Sequence, residues 1–319
     1  MKILITGSAG FIGFHTAKRL LKMKHYVYGL DNLDDYYDVR LKKDRLKNLK
    51  KYKKFSFLKI DLANKKRLEE HFKNNKIDLI INLAAQAGVR YSIEFPQKYF
   101  NSNILGFFNL IEAARKYKIK KIVSASTSSV YGENKKLPFS ETDRVDNIIQ
   151  FYAASKRSNE IIGQVYSGIY KMNFTFLRFF TVYGPWGRPD MALAKFVTNI
   201  IKRKKIDVFN MGNHKRDFTY IDDIVDGILK ASFNKNKKKF TIYNLGNGKI
   251  VNLMDYVKTI EKKLGLKAKI NFKKLQKGDV KNTLSNLRKS KKELNYVPKI
   301  NIDRGIDNYI KWFRQYYKI

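Results

Sequence analysis

The sequence predicts an α/β fold, a doubly wound parallel sheet with a smaller C-terminal α/β lobe. Two observations carry this. Up to Phe180, short apolar runs alternate with longer amphipathic stretches, and a glycine-rich turn joins the first run to the first stretch. Strict alternation of strand and helix requires crossover connections, so the strands are parallel and helices cover both faces of the sheet.

Taken in order, Lys2–Thr6, Tyr26–Leu30, Phe55–Ile60, Ile77–Asn82, Ile119–Ala125 and Phe174–Phe180 read as buried strands, each being short and rich in Ile, Val, Leu or aromatic residues. The windows Ile12–Lys24, Lys65–Asn75, Pro96–Tyr117 and Tyr152–Lys171 repeat apolar residues at helical spacing. The rhythm breaks at Gly184-Pro185-Trp186-Gly187-Arg188-Pro189, and beyond it Ile206–Phe209 and Phe240–Leu245 are isolated strands among short helices. Thr241–Asn244 is expected to return to the main sheet. The expected organisation is a first domain over 1–182 with a returning segment near 222–262, and an interleaved second lobe over 183–319.

Composition narrows the function. Of 319 residues, 44% are hydrophobic and 14% aromatic, enough for a real core despite a net charge of +38. No run approaches the ~18 apolar residues that span a bilayer, and the first strand leads straight into a glycine turn rather than a signal-peptide core. A soluble, unprocessed, cytoplasmic protein is expected. The absence of cysteine excludes disulfides, thiolate catalysis and iron–sulfur clusters. The cations are spread along the chain, as in Lys50-Lys51-Tyr52-Lys53-Lys54 and Lys202-Arg203-Lys204-Lys205, and are mostly lysine, which describes solvated faces rather than a nucleic-acid stripe. Their field favours small anionic substrates such as nucleotides. His15, His25, His71 and His214 lack ligand spacing, so no metal is expected.

The turn Gly7-Ser8-Ala9-Gly10-Phe11-Ile12-Gly13 is spaced G-x-x-G-x-x-G. Glycines there let the backbone approach a pyrophosphate, which the N–H groups and dipole of the following helix then hold. Asp31 and Asn32 close the second strand, where a carboxylate binds the ribose hydroxyls of NAD and repels the extra phosphate of NADP. The cofactor read from this is NAD in a Rossmann-type domain. Tyr152 and Lys156, four residues apart at the start of a helix, share a face. A lysine ammonium stabilises a phenolate and makes tyrosine a usable general base. Thr127, just past a strand end where ligands gather, is placed to hydrogen-bond the same substrate hydroxyl. By itself the Tyr–Lys spacing also fits a surface pair; the glycine turn and the hydroxyl cluster Ser124–Ser129 make it specific.

These motifs together resemble the extended short-chain dehydrogenase/reductases, and among them the nucleotide-sugar 4-epimerases. Gly7–Gly13, Asp31-Asn32, Asp61-Leu62, Asn82-Leu83-Ala84-Ala85, Asn103, Ser128-Ser129-Val130-Tyr131-Gly132, Tyr152 and Lys156, Arg178–Pro185 and Arg216-Asp217-Phe218 fall in that family's order over essentially the whole chain. The resemblance implies that Asp61 and Leu62 flank the adenine, that Leu83, Ala84, Ala85 and Asn103 line the cofactor cleft, that Lys156 also holds the nicotinamide ribose, and that Phe180 faces the nicotinamide. It further implies a homodimer through the helices near Pro96–Tyr117 and Tyr152–Lys171.

Related dehydratases follow the catalytic threonine with Asp-Glu, and related decarboxylases have Ser-Glu there; here Thr127 precedes Ser128-Ser129. Without that acid the simplest fate of a 4-keto intermediate is rotation and return of hydride to its other face, which is epimerisation. Arg216, Phe209 and Asp279 match family positions that contact the UDP phosphates, uracil and ribose, while Gln276 stands where UDP-galactose epimerases carry Arg. The stretches Asp35-Tyr36-Tyr37-Asp38 and Thr181–Ala192 are similar to those of UDP-glucuronate 4-epimerases. That substrate is a UDP-hexuronate, whose carboxylate needs partners; Arg188 and Thr181, helped by Arg90, are the candidates. The alternatives are an epimerase of a neutral or N-acetyl UDP-hexose, and, from another class, a non-catalytic dinucleotide-binding regulator.

Overall fold

The computed structural model describes residues 1–235, 238–276 and 278–319, so the middle of the basic run Lys235–Lys239 lies outside the described residues. Seven parallel strands form the main sheet. They are β1 (Lys2–Thr6), β2 (Tyr26–Asp31), β3 (Phe55–Lys59), β4 (Leu79–Asn82), β5 (Lys121–Thr127), β6 (Asn173–Phe179) and a returning strand, Phe240–Leu245. Their spatial order is the returning strand, then β6, β5, β4, β1, β2 and β3. The chain therefore builds outward from β1 to β3 and resumes on the other side of β1 with β4. The carboxyl ends of β1 and β4 mark the topological switch, where such sheets open a crevice.

Alternate side chains supply two cores. Ile3 and Ile5 pack with Phe14, Leu20 and Val27 on one face, whereas Leu4 packs with Leu30, Ile80 and Phe107 on the other. Burial on both faces explains why the central strands read as continuous apolar runs. The returning strand pairs with β6 from Phe240 opposite Phe174 to Leu245 opposite Phe179. The helix before it, Ile221–Phe233, packs on the first helix, α1 (Phe11–Lys22). Leu253–Leu264, which begins inside the expected returning segment and runs two residues past it, packs against the helices Ala192–Ile201 and Ile302–Tyr317. Lys205–Val208 forms a separate parallel pair with Lys269–Phe272.

Three local features differ from the sequence expectation. β5 runs on to Thr127, which is its last residue rather than a loop residue. The stretch Pro96–Tyr117 is helical but broken, with a π-helical segment at Phe100–Leu105 between Pro96–Tyr99 and Gly106–Lys116. A helix, α2 (Val39–Leu49), follows β2 where none was expected, and Asp38 caps it by accepting the Arg40 N–H. Among the described residues no helix is long and apolar enough to cross a membrane.

Candidate active site

One cavity of about 750 Å³ opens along the carboxyl edge of the sheet, and the glycine turn, Asp31, Thr127, Tyr152, Lys156, Arg188 and Arg216 all line it. At the turn, Gly7 has φ +71°, and a Cβ there would stand 2.8 Å from the Ala84 nitrogen. A Cβ on Gly13 would stand 2.0 Å from the Gly7 carbonyl oxygen, so only glycine lets α1 approach this closely. Gly10 is the N-cap and makes no side-chain bond, which leaves the first-turn N–H groups beside Phe11, Ile12 and Gly13 to the cavity. This is a cradle shaped for a pyrophosphate.

Asp31 ends β2 at the cavity wall, where its carboxylate accepts the N–H groups of Ala9 at 3.0 Å and Leu33 at 2.9 Å. Burial pushes its carboxyl above the usual range, against the pull of the Lys42 charge. Asn32 donates to Asp61 at 2.9 Å, and the other Asp61 oxygen accepts the Ala63 N–H at 2.8 Å, which fixes the rim where Leu62 also lies. Two α2 residues that sequence reasoning missed belong here. Lys42 lines the cavity and donates to the Asp34 carbonyl at 2.6 Å. Arg45 is fully buried and donates to the carbonyls of Ala9 at 2.8 Å and Trp186 at 2.6 Å and to the Tyr37 hydroxyl at 2.7 Å. It thereby ties the glycine turn to the segment that carries Arg188. His15 does the same from α1, donating Nε2–H to the Pro185 carbonyl at 2.9 Å; burial lowers its pKa to about 3 and keeps the ring neutral.

Strand ends shape the middle of the cavity. Thr6 donates to Asn82 at 2.6 Å and Asn82 to Ser124 at 3.0 Å, lacing β1, β4 and β5 together below the lining residues Leu83, Ala84 and Ala85. Asn103 differs from its expected place. It is buried behind the wall rather than among the lining residues: its amide donates to the Gln86 carbonyl and to Ser155 Oγ, both at 3.0 Å, and its oxygen accepts the Gln86 N–H at 2.8 Å. The π-helical turn thus links the cofactor wall to the helix bearing Tyr152.

That helix, Phe151–Tyr170, begins at Gln150, whose side chain accepts the Ala153 N–H at 2.9 Å. Tyr152 and Lys156 consequently occupy successive turns and face the cavity with Thr127 and Ser128. Thr127 Oγ1 accepts the Ser129 N–H and donates to Ser129 Oγ, both at 3.2 Å, on the same cavity wall as Tyr152. Burial raises the Tyr152 phenol above the usual tyrosine value, and Thr127 and the Arg188 charge pull it down. Burial lowers Lys156 to about 8, opposed by Glu160 one turn further on. Phe180 and Thr181 line the same wall.

Arg188 is largely shielded from solvent. It forms an ion pair with Asp190, with Nε at 2.9 Å from Oδ1 and Nη2 on Oδ2, and lies 5.5 Å from the Tyr36 ring. At the far end, Arg216 donates to the Lys281 carbonyl at 2.6 Å, and burial lowers its guanidinium to about 10. Arg90 pairs with Asp279 at 3.3 Å and covers the Phe209 ring at 4.8 Å. Phe209, expected to contact the base, is half-buried under the Arg90 guanidinium and is not among the residues that line the cavity.

A dinucleotide cradle and a Thr–Tyr–Lys proton-handling group in one cavity define an enzyme of the short-chain dehydrogenase/reductase class. Residues 3–246 match the NAD dependent epimerase/dehydratase family, and the chain belongs to it. Protein CapI of Staphylococcus aureus is 47% identical over the full length of both chains. A UDP-glucuronate 4-epimerase of Thermodesulfobacterium geofontis is 41% identical over 98% of this chain and 96% of that one. The crystal structure of UDP-glucuronic acid 4-epimerase from Bacillus cereus with UDP-glucuronic acid and NAD superposes with a TM-score of 0.93 at 34% identity, covering 99% of this chain and all of that one.

Proposed function

We infer that the protein is an NAD-dependent 4-epimerase of a UDP-hexuronate, interconverting UDP-glucuronate and UDP-galacturonate. The observation that carries this is the placement of Thr127, Tyr152 and Lys156 beside the glycine cradle, with Ser128-Ser129 and no carboxylate after the threonine and with Arg188 and Thr181 across the cavity. The cradle of Gly7, Gly10, Phe11, Ile12 and Gly13, with Asp31 and Asn32 at its end, suits NAD. Bound there, the cofactor supplies a hydride acceptor and, on the return step, a hydride donor.

Tyr152 removes the C4 hydroxyl proton as hydride leaves C4, and gives it back after the 4-keto sugar has turned its other face. Thr127 holds the same oxygen, and the Lys156 ammonium stabilises the phenolate as charge develops. Arg216, Asp279 and the Arg90 plane over Phe209 form the nucleotide end of the cleft, and an arginine fork suits a pyrophosphate. A 4-ketohexuronate is a β-keto acid and loses CO₂ when its C–CO₂ bond aligns with the keto group. Arg188 and Thr181 hold the carboxylate out of that alignment.

Purified protein incubated with UDP-glucuronate, without added NAD, is expected to yield UDP-galacturonate alone by proton NMR. In Arg188→Ala, substrate binding weakens and UDP-pentose appears; if neither change is seen, the carboxylate contact is misassigned. Conversion of UDP-glucose or UDP-N-acetylglucosamine but not of UDP-glucuronate would replace this reading with a neutral-sugar epimerase.

The assembly belongs to the same proposal. Ile93, Phe95, Phe100, Leu105 and Phe108 leave an apolar strip exposed beside Ile161, Val165 and Ile169 of the Phe151–Tyr170 helix, which packs on the π-helical segment. Monomers rarely expose so continuous a patch, and a homodimer covers it. Val165→Glu is expected to shift the protein from dimer to monomer in analytical ultracentrifugation; an unchanged sedimentation coefficient assigns the patch elsewhere. A cytoplasmic location accompanies this reading, since nucleotide sugars are made where nucleotides are.

A further inference from the structure

Arg188 does not wait alone for a ligand. Asp190, two residues on, takes its Nε at 2.9 Å and its Nη2, so one whole edge of the guanidinium is already forked onto a carboxylate. Nη2 also donates to the Ala87 carbonyl at 3.4 Å. Tyr36, from the connection between β2 and α2, donates its hydroxyl to Asp190 at 3.2 Å and lays its ring 5.5 Å from the guanidinium. Tyr36, Ala87, Arg188 and Asp190 line the cavity that holds Tyr152 and Thr181. What this cluster presents to a ligand is the Nη1 corner of an arginine whose charge is shared.

This arrangement matters because of what epimerisation demands. The 4-keto sugar has to leave its first pose and present its other face before hydride returns. A grip on the ground state that has to be released for that turn adds to the barrier instead of lowering it. An unshared arginine in a cavity away from bulk water would fork a sugar carboxylate strongly. We propose that Asp190, steadied by Tyr36, is a specificity-tuning residue that attenuates the hold of Arg188 on the hexuronate carboxylate so that the keto intermediate can rotate. The proposal rests on the hexuronate reading above and adds a function for a residue pair outside the Thr–Tyr–Lys group. It also accounts for the tie between Tyr36 and Asp190, which joins the cofactor-side loop to the sugar end of the cleft.

The test is a split between KM and kcat. Asp190→Asn keeps the shape and an oxygen for Tyr36 but removes the charge. KM for UDP-glucuronate is expected to fall about three- to tenfold and kcat to fall by a similar factor, since each tenfold corresponds to a single modest interaction. The dissociation constant of UDP-glucose is expected to stay within about twofold, because that sugar offers Arg188 no carboxylate. Tyr36→Phe, which retains the ring and loses only the hydroxyl, is expected to move both constants in the same directions by less, and it serves if the Asn variant does not fold. A rise in KM at constant kcat, or equal changes for both nucleotide sugars, would show that Asp190 merely props Arg188 and would overturn the proposal. Failure of the unaltered protein to turn over UDP-glucuronate would instead overturn the hexuronate reading on which the proposal stands.

Discussion

Tyr152→Phe is expected to lower kcat on UDP-glucuronate by about 10²–10⁴-fold, the span that a positioned proton-transfer group supplies. Bound NAD and KM are expected to change little. The reason for the separation is geometric. The Tyr152 ring meets Tyr99 edge-on at 6.1 Å and lies half-buried in the cavity wall, and phenylalanine keeps both contacts. Only the phenolic hydroxyl, on the cavity wall shared with Thr127, is lost. In a single turnover, absorbance of reduced cofactor at 340 nm reports the first hydride transfer directly. If that step slows less than about tenfold, another group carries the proton and Tyr152 serves only to shape the wall.

What the sequence made legible was whatever is encoded by spacing along one element. The glycine turn, Asp31 at a strand end, and Tyr152 with Lys156 one helical turn apart are local patterns, and the structure puts all of them on one cavity. α2 escaped notice for a physical reason. Its buried positions are Leu41, Lys42, Arg45, Leu46 and Leu49, so two of the five residues that should have marked an apolar stripe are cations. The available signal was the cap at Asp38. Lys42 and Arg45 were lost with the helix, although Arg45 joins three segments that lie far apart in sequence. Arg188 and Asp190 stand two residues apart in sequence, but the pair's burial and its contact with Tyr36 depend on the fold bringing residue 36 across the cleft. The π-helical turn carries no compositional mark; a backbone irregularity of this kind often sits at functional sites, and here it positions Asn103 between the cofactor wall and the catalytic helix.

The largest loss of stability is expected from Arg178→Met. Arg178, on β6, donates two bonds of 2.9 Å to Glu160, on the helix bearing Tyr152, and the pair is almost completely shielded from solvent. Glu160 also accepts Ser126 Oγ at 2.6 Å, and the Arg178 guanidinium stands 4.9 Å from the Tyr131 ring. Removing Arg178 leaves the buried Glu160 with only the part-exposed Arg157, 3.0 Å away, as its counter-charge, and costs about 3–5 kcal/mol. For a chain of this size that corresponds to a fall in Tm on the order of 5–10 °C. The double variant Glu160→Met with Arg178→Met is expected to recover part of the loss, because neither charge is then left buried without the other. Because Ser126 precedes Thr127 and Glu160 lies one turn beyond Lys156, the single variant is also expected to loosen the catalytic group. Its kcat then falls even at temperatures where it remains folded. Scanning calorimetry of both variants decides the matter: if the double variant is no more stable than Arg178→Met, the pair contributes through packing rather than through its charges.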